Sequence, residues 1–376
     1  MNFLKTKSHR LDFLTRVCSL KLRKFTAKFG LDPRLIELSR HGDPLERLNK
    51  VIDWQMFMPT LKQIDTKARK SNAGRTLTDR VLLFKILILK KLYALSDDNV
   101  EYQIRDRLSF MRFLGLTLAS RVPDSKTIWA FADALAQAGL AEQLFERFNT
   151  ILQVLGVQMQ SGQLIDASFI EVPKQRNTRE ENALIKQDAV PLDWQDEPNK
   201  RAQKDIDARW TKKNGEKHFG YKDHINVDKD TKLITTFDVT DAAVHDSQAL
   251  AGLLQNAELG GAPVYADSAY KSDEIDGIVF AKGLNNKIHE RAYRNKPLTD
   301  AQKADNTFKS RKRSRVEHVF GSIKSMLRGS KLRSIGLVRA KFNIGLMNLT
   351  YNLKRVEALI RLRLFEFDRV SPPVGR

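Results

Sequence analysis

The chain has 376 residues, 41% of them hydrophobic, and a formal charge of +20 from 65 Lys and Arg against 45 Asp and Glu. That length and apolar content support two domains with a real core, and the basic excess points to nucleic acid as partner. One cysteine, Cys18, excludes an internal disulfide and a cysteine-based zinc module; no apolar run spans a membrane, since VLLFKILIL is short and broken by Lys85, and no secretory signal is evident.

The charge is uneven. Residues 1–30 carry eight Lys or Arg against one acid, Asp12, and residues 1–40 read as a basic arm that contacts DNA. Residues 41–157 are expected to form a helical DNA-binding domain. Asp43-Pro44-Leu45-Glu46 is a helix start, with Asp43 as cap and Glu46 completing a capping box. An apolar helix is predicted over 78–94, the next starts behind Ser96, and another runs from the cap Asp124 to Gly139. Helix, glycine turn, helix over 125–154 has the length of a helix-turn-helix, which any helical bundle also offers.

From Gln163 the period changes to that of strands. Leu164–Pro173, His218–Asp228 and Leu233–Thr240 alternate or run apolar, and the last two read as a hairpin. A helix near Asp246–Asn256 follows, with Asp246 its expected cap, then a strand Val264–Tyr270, a helix after Ser272 and a strand near Asn286–Glu290. Long helices are predicted at about 308–328 and 337–363. Three strands, helix, strand, helix, strand, helix is the order of a ribonuclease H-like domain. The expected fold is therefore α/β: a mixed sheet flanked by helices over 158–363, preceded by the helical domain and followed by a tail, 364–376. The charged stretch 174–216 interrupts the order and reads as a mobile surface excursion. Its Trp194 and Trp210 are expected to pack more readily than to stack on bases.

Three acids stand in unusual places. Asp166 lies inside the apolar run QLIDASFIEV, Asp267 inside PVYADSAY, and Glu317 in the basic stretch RKRSRVEHVFGSIK. A carboxylate in a buried strand is costly unless it is paired or binds a metal. At about 100° per residue, Ser310, Arg313, Glu317 and Lys324 share one stripe of a continuous helix, and Gly321 leaves room on it. One site is expected: Asp166, Asp267 and Glu317 as catalytic residues holding two divalent cations, Mg²⁺ or Mn²⁺, because all ligands are oxygens. Arg313, Lys324, Lys222, Arg311 and Lys312 are the expected DNA contacts. The bland reading of Glu317 is a surface acid paired with Arg313, and that of Lys222 a solvated lysine.

Taken with GDPLERLNKVIDWQMF, FMRFLGL, VPDSKTIWAFADAL, KHFGYKDHI, TDAAVHDSQAL and VYADSAYKS, these residues make the chain resemble a bacterial DDE transposase of insertion-sequence family five, within the group that also holds family four. The likeness runs from about Gly42 to about Ile360. The group ends on Tyr-x2-Arg-x3-Glu-x6-Lys; Arg313, Glu317 and Lys324 match that spacing, and Ser310 stands where Tyr is usual. The resemblance implies cleavage at element ends and strand transfer, double-stranded DNA as partner, a homodimer on the DNA, and a cytoplasmic, nucleoid-associated place. A nuclease or resolvase that cuts without joining, and an inactive DNA-binding derivative, are the alternatives. The intact acids argue against the second of these; a helical region and two basic ends, suited to gripping DNA ends, argue against the first.

Overall fold

The computed structural model describes residues 33–65, 77–157, 159, 161–194, 196–213, 215–256, 261–294, 296–327 and 331–372. Most of the expected basic arm, with Cys18, lies outside them. The helical region comprises α1 (Pro33–Arg40), α2 (Pro44–Val51), α3 (Met58–Leu61), α4 (Arg80–Tyr93), α5 (Asp97–Asp106), α6 (Leu108–Leu114), α7 (Ser125–Gln137) and α8 (Leu140–Val154). Asp43, Ser96 and Asp124 cap their helices by accepting from Leu45, Asn99 and Thr127 N–H groups. Glu46 does not close a capping box; it pairs with Lys50 at 2.9 Å, one turn on.

The sheet holds β1 (Gln163–Glu171), β2 (Arg209–Lys213), β3 (Glu216–Asp228), β4 (Ile234–Asp241), β5 (Pro263–Tyr265) and β6 (Asn285–Asn286), in the order β2-β3-β1-β5-β6 with β4 also on β3. β1, β3 and β4 are antiparallel, and β5 joins β1 in parallel, as β6 does β5. Without β2 this is the expected order: a three-stranded meander extended by two parallel strands. Helices α11 (Asp246–Leu253) and α12 (Asp273–Ala281) connect the parallel strands and bury Leu250, Leu253, Ile275 and Val279 against Ile165 and Val264 on one face. The chain closes with α13 (Asp300–Arg313), α14 (Arg315–Leu327) and α15 (Leu337–Arg361). The latter two bury their apolar residues with Leu164, Ile225 and Val227.

α15 explains why the two regions expected as domains share one continuous core. It is buried on every side from Ile344 to Leu353, as a helix must be where it is packed all round. It touches α8, α7, α4 and α2 as well as β4. Gly345 permits this approach: a Cβ there would lie 2.8 Å from Phe237 and 3.1 Å from Ala141. Asn352 and Asn149 meet the edge strand β4, each donating to Ile234 O (2.8 and 3.1 Å), and Asn352 Oδ1 accepts from Ile234 N–H at 2.9 Å. Side chains of the helical layer thus satisfy backbone groups that an edge strand leaves open. The tail is tied back too, since Val370 exchanges backbone hydrogen bonds with Val51 and Asp53. In the helix-turn-helix-like corner, α8 buries Leu144, Phe145, Phe148 and Leu152 and exposes Glu142 and Glu146. That acidic outer face does not suit a groove of phosphates, so the corner is a bundle turn.

The excursion 174–216 holds more structure than its charge suggests: α9 (Arg179–Ile185), α10 (Pro198–Ala202) and strand β2. A capping box of Thr178 and Glu181 starts α9. Trp194 is fully buried and donates to Glu181 at 2.7 Å, which meets the expectation of packing. Trp210 is 44% exposed.

Between sheet and α15 lies a polar pocket. Asp223 is fully buried and accepts from Asn348 at 3.0 Å, while Asp223 Oδ2 and Asn348 Oδ1 have no partner. Burial, aided by Asp238, pushes the Asp223 carboxyl up to about 7 against the pull of the Asn348 hydrogen bond. The folded value thus exceeds the unfolded one. Its stabilising contribution is full below the ordinary carboxylate range and is lost as pH rises through about 7. Asp223→Asn is expected to remove that slope, a gain of up to roughly 2–4 kcal/mol at alkaline pH and little in acid. Urea denaturation of both proteins at about pH 5 and about pH 8 checks it; a variant equally destabilised at both would contradict it.

Candidate active site

The site forms where β5 ends beside the middle of β1. Asp166 faces Ile225 across the β1–β3 pair and so shares the α14–α15 face of the sheet with Leu164 and Ile170. Tyr265 pairs with Leu164, and β5 ends there, short of the predicted end at Tyr270. Asp267 then caps a short 3-10 turn, Ser268–Tyr270, accepting from Ala269 N–H at 2.8 Å. A carboxylate that caps a turn at a strand end is fixed in direction without being sealed off.

Arg313, the last residue of α13, pairs with Asp166 at 3.0 Å. Asp166 is mostly buried, with a side chain 16% exposed. Burial raises its carboxyl above the usual range against the pull of Arg313 and of the Ala167 N–H, and the like charge of Asp267 raises it further. Beside these groups, two buried atoms have no hydrogen-bond partner, Arg313 Nε and the Tyr270 hydroxyl. The Tyr270 hydroxyl is pushed far up, by burial first and then by Asp246, Asp166 and Asp267. Unpaired buried donors beside two carboxylates suit a site for a phosphate oxygen or a hydrated cation. An all-oxygen ligand set of this kind fits a hard divalent cation.

Glu317 stands apart. It is exposed on α14, and among the described residues no three His, Cys, Asp or Glu gather as a metal-binding group. The expected continuous helix over 308–328 is two helices, broken at Ser314. Glu317 N–H bonds to Ser314 O, a three-residue step, which is tighter than the α-helical one. Arg313, just before the break, pairs with Asp166, and Glu317, just after it, is exposed. Glu317 and Lys324, two turns apart, remain together on the exposed side. Gly321 between them is not needed for space, since a Cβ there would meet nothing within 4 Å.

The other expected DNA contacts divide. Arg311 is exposed, and Lys312 extends over the Phe308 ring at 5.7 Å. Lys222 is a correction. It sits on the opposite face of the sheet, 6% exposed, paired with Asp246 at 2.7 Å and donating to Val244 O at 2.6 Å. An alternating strand places it there under the loop before α11, where no phosphate reaches it. Asp246 is occupied by this pair, and the α11 cap is His245, accepting from Ser247 N–H at 3.3 Å.

One neighbour of the site escaped the sequence reading. The chain after β6 continues beside β5, with Lys287 and His289 donating to Val264 O and Ala266 O. This puts His289 next to Asp267. Its Nε2 lies 3.4 Å from the Ser310 hydroxyl, in the place where the related motif has Tyr. Burial lowers the His289 pKa, with Arg313 and Lys309 adding to the fall. The signal in the sequence was positional: a strand parallel to PVYAD must end beside that Asp.

An antiparallel meander extended by parallel strands, with helices packed on both faces, is the layout of a ribonuclease H-like fold. Two family models match the sequence: a transposase DDE domain over residues 158–353 and a transposase domain (DUF772) over residues 33–134. The chain belongs to the transposase DDE domain family, whose chemistry uses divalent metal ions, and it is a DNA transposase. Among solved structures, it is similar to a piggyBac transposase in a synaptic complex with hairpin DNA, determined by cryo-electron microscopy. The TM-score is 0.44 at 12% identity, over 87% of this chain and 77% of that one. Among the described residues no helix is long and apolar enough to cross a membrane.

Proposed function

We propose that Asp166, Asp267 and Glu317 form the catalytic site of a transposase of insertion-sequence family five, which cleaves DNA at element ends and joins them to a target. The meeting of Asp166, Asp267 and Arg313 beside the end of β5 carries this reading. The three acids would hold two Mg²⁺ or Mn²⁺ ions. When bound, these supply Lewis-acid activation of the attacking hydroxyl and charge relief on the leaving oxygen. The protein's own work is positioning. Arg313 balances the buried Asp166 charge and offers its unpaired Nε–H to a phosphate oxygen, and Arg311, Lys312 and Lys324 hold the phosphates on either side. Glu317 completes the set by a small turn of α14 about Ser314, where α13 ends and α14 begins. The resemblance extends to a homodimer on paired DNA ends in a bacterial cytoplasm, bound to the nucleoid.

The test is incubation of the protein with Mg²⁺, a duplex carrying the inverted repeats that flank its reading frame, and a supercoiled target. Nicks leaving a 3′-hydroxyl at the repeat boundary, followed by joined product, are expected. Cleavage without joining would replace transfer by simple hydrolysis.

A further inference from the structure

The β2–β3 hairpin extends past the catalytic edge and carries charges that the site does not use. Trp210 pairs with Phe219 and Lys212 with Lys217 across it. These four share the sheet face of Asp166, because Phe219 stands an even number of residues from Ile225, the partner of Asp166. Trp210 is 44% exposed, its ring 5.0 Å from that of Phe219. Lys174, on the chain leaving β1, reaches over the indole at 5.6 Å. Lys174, Lys212 and Lys217 are exposed, and none of them forms an ion pair among the described residues. Two lysines facing each other across a strand pair repel. With no acid to offset that repulsion, the arrangement favours an external anion between them. Trp210 orders the third lysine by a cation–π contact and presents an indole N–H that can donate to the same anion.

We infer that this hairpin is a second DNA-backbone grip, with Lys174, Lys212, Lys217 and Trp210 bound to phosphates of the duplex whose scissile bond lies at Asp166. The inference rests on the proposed transposase reading. Phe219 is six residues from Ile225 along β3, which is about 20 Å at the strand rise. At about 3.4 Å per base pair, the grip falls roughly six base pairs from the cut. Backbone contacts position DNA and carry no sequence information, so an arbitrary duplex serves as probe.

The experiment measures binding of a fluorescent random-sequence duplex of about 30 base pairs across a salt series. It uses full-length protein, the triple variant Lys174→Ala, Lys212→Ala, Lys217→Ala, and a control triple of equal charge change, Lys62→Ala, Lys186→Ala, Lys303→Ala. The grip variant is expected to lower the slope of log affinity against log salt by about 2 to 3, near 0.9 for each lost phosphate contact, with the control close to wild type. Trp210→Phe is expected to weaken binding less and leave the slope nearly intact. Equal slopes in wild type and grip variant, or an equal loss in the control, would overturn the grip. Wild-type protein that binds no duplex at all would instead overturn the transposase reading on which it rests.

Discussion

Asp166→Asn and Asp267→Asn are each expected to lower strand cleavage by at least a thousandfold, roughly 4 kcal/mol of transition-state stabilisation, while DNA affinity is held or slightly raised. Both substitutions keep shape. In the first, the amide oxygen can still accept from Arg313, which leaves its NH2 facing the Ala167 N–H; in the second, the oxygen would still accept from Ala269 N–H. The Arg313 hydrogen bond and the 3-10 cap therefore keep their geometry. Each variant loses a negative charge, and the first also loses the acceptor of the Ala167 N–H. Near phosphates such a charge repels DNA, so its loss cannot weaken binding by direct contact. Glu317→Gln tests the third acid in the same way, and because Glu317 is exposed its stability cost should be close to zero. Gel assay of nicked and joined products, beside a binding curve, checks all three. A variant that cleaves within about tenfold of wild type would remove its residue from the catalytic set.

Gly220→Ala is expected to destabilise the protein by about 3 kcal/mol or more. Gly220 sits at φ +148 in β3, opposite Glu171 of β1. A Cβ there would lie 2.3 Å from Ile170 O, 3.1 Å from Val172 N and 3.2 Å from Glu171 Cα. All three are backbone atoms of β1, which carries Asp166, or of the residue that follows it, so neither a rotamer change nor a yielding side chain relieves the clash. The two strands must part, and the far end of β1 goes with them. Gly321→Ala is the matched control. It lies in a helix with open space around its Cβ position, and alanine there should gain about 0.5–1 kcal/mol. Thermal or urea unfolding separates the two; equal effects would mean that the β1–β3 contact is not tight.

Much of the fold was legible because its signals are local. The helix caps Asp43, Ser96 and Asp124 act through residues two or three positions away. The strands announced themselves by alternation, and Asp166 and Asp267 by standing as charges in apolar runs. What was not legible depends on partners far along the chain. The sequence RWTKK is short and mostly charged, with little apolar alternation of its own; β3 reaches past the end of β4 and offers β2 an edge. Lys222 read as a strand lysine offered to DNA, whereas Asp246 and Val244, more than twenty residues later, close over it. An unbroken helix was expected over 308–328 in a run of good helix formers, but two helices meet at Ser314, α13 packing against β5 and α14 against β1. α15 looked like one helix among many, and only its burial on every side shows why the helical region and the sheet share a core.

Whether Glu317 joins the two aspartates around metal decides the catalytic set. The most direct measurement is a Mn²⁺ titration of the DNA-bound protein followed by electron paramagnetic resonance. It would compare wild type with Asp166→Asn, Asp267→Asn and Glu317→Gln. Wild type should bind Mn²⁺ tightly on DNA, and each variant should lose at least about tenfold in affinity, as loss of a ligand or its charge requires. Wild-type affinity in Glu317→Gln, with the two aspartate variants impaired, would contradict a three-carboxylate site.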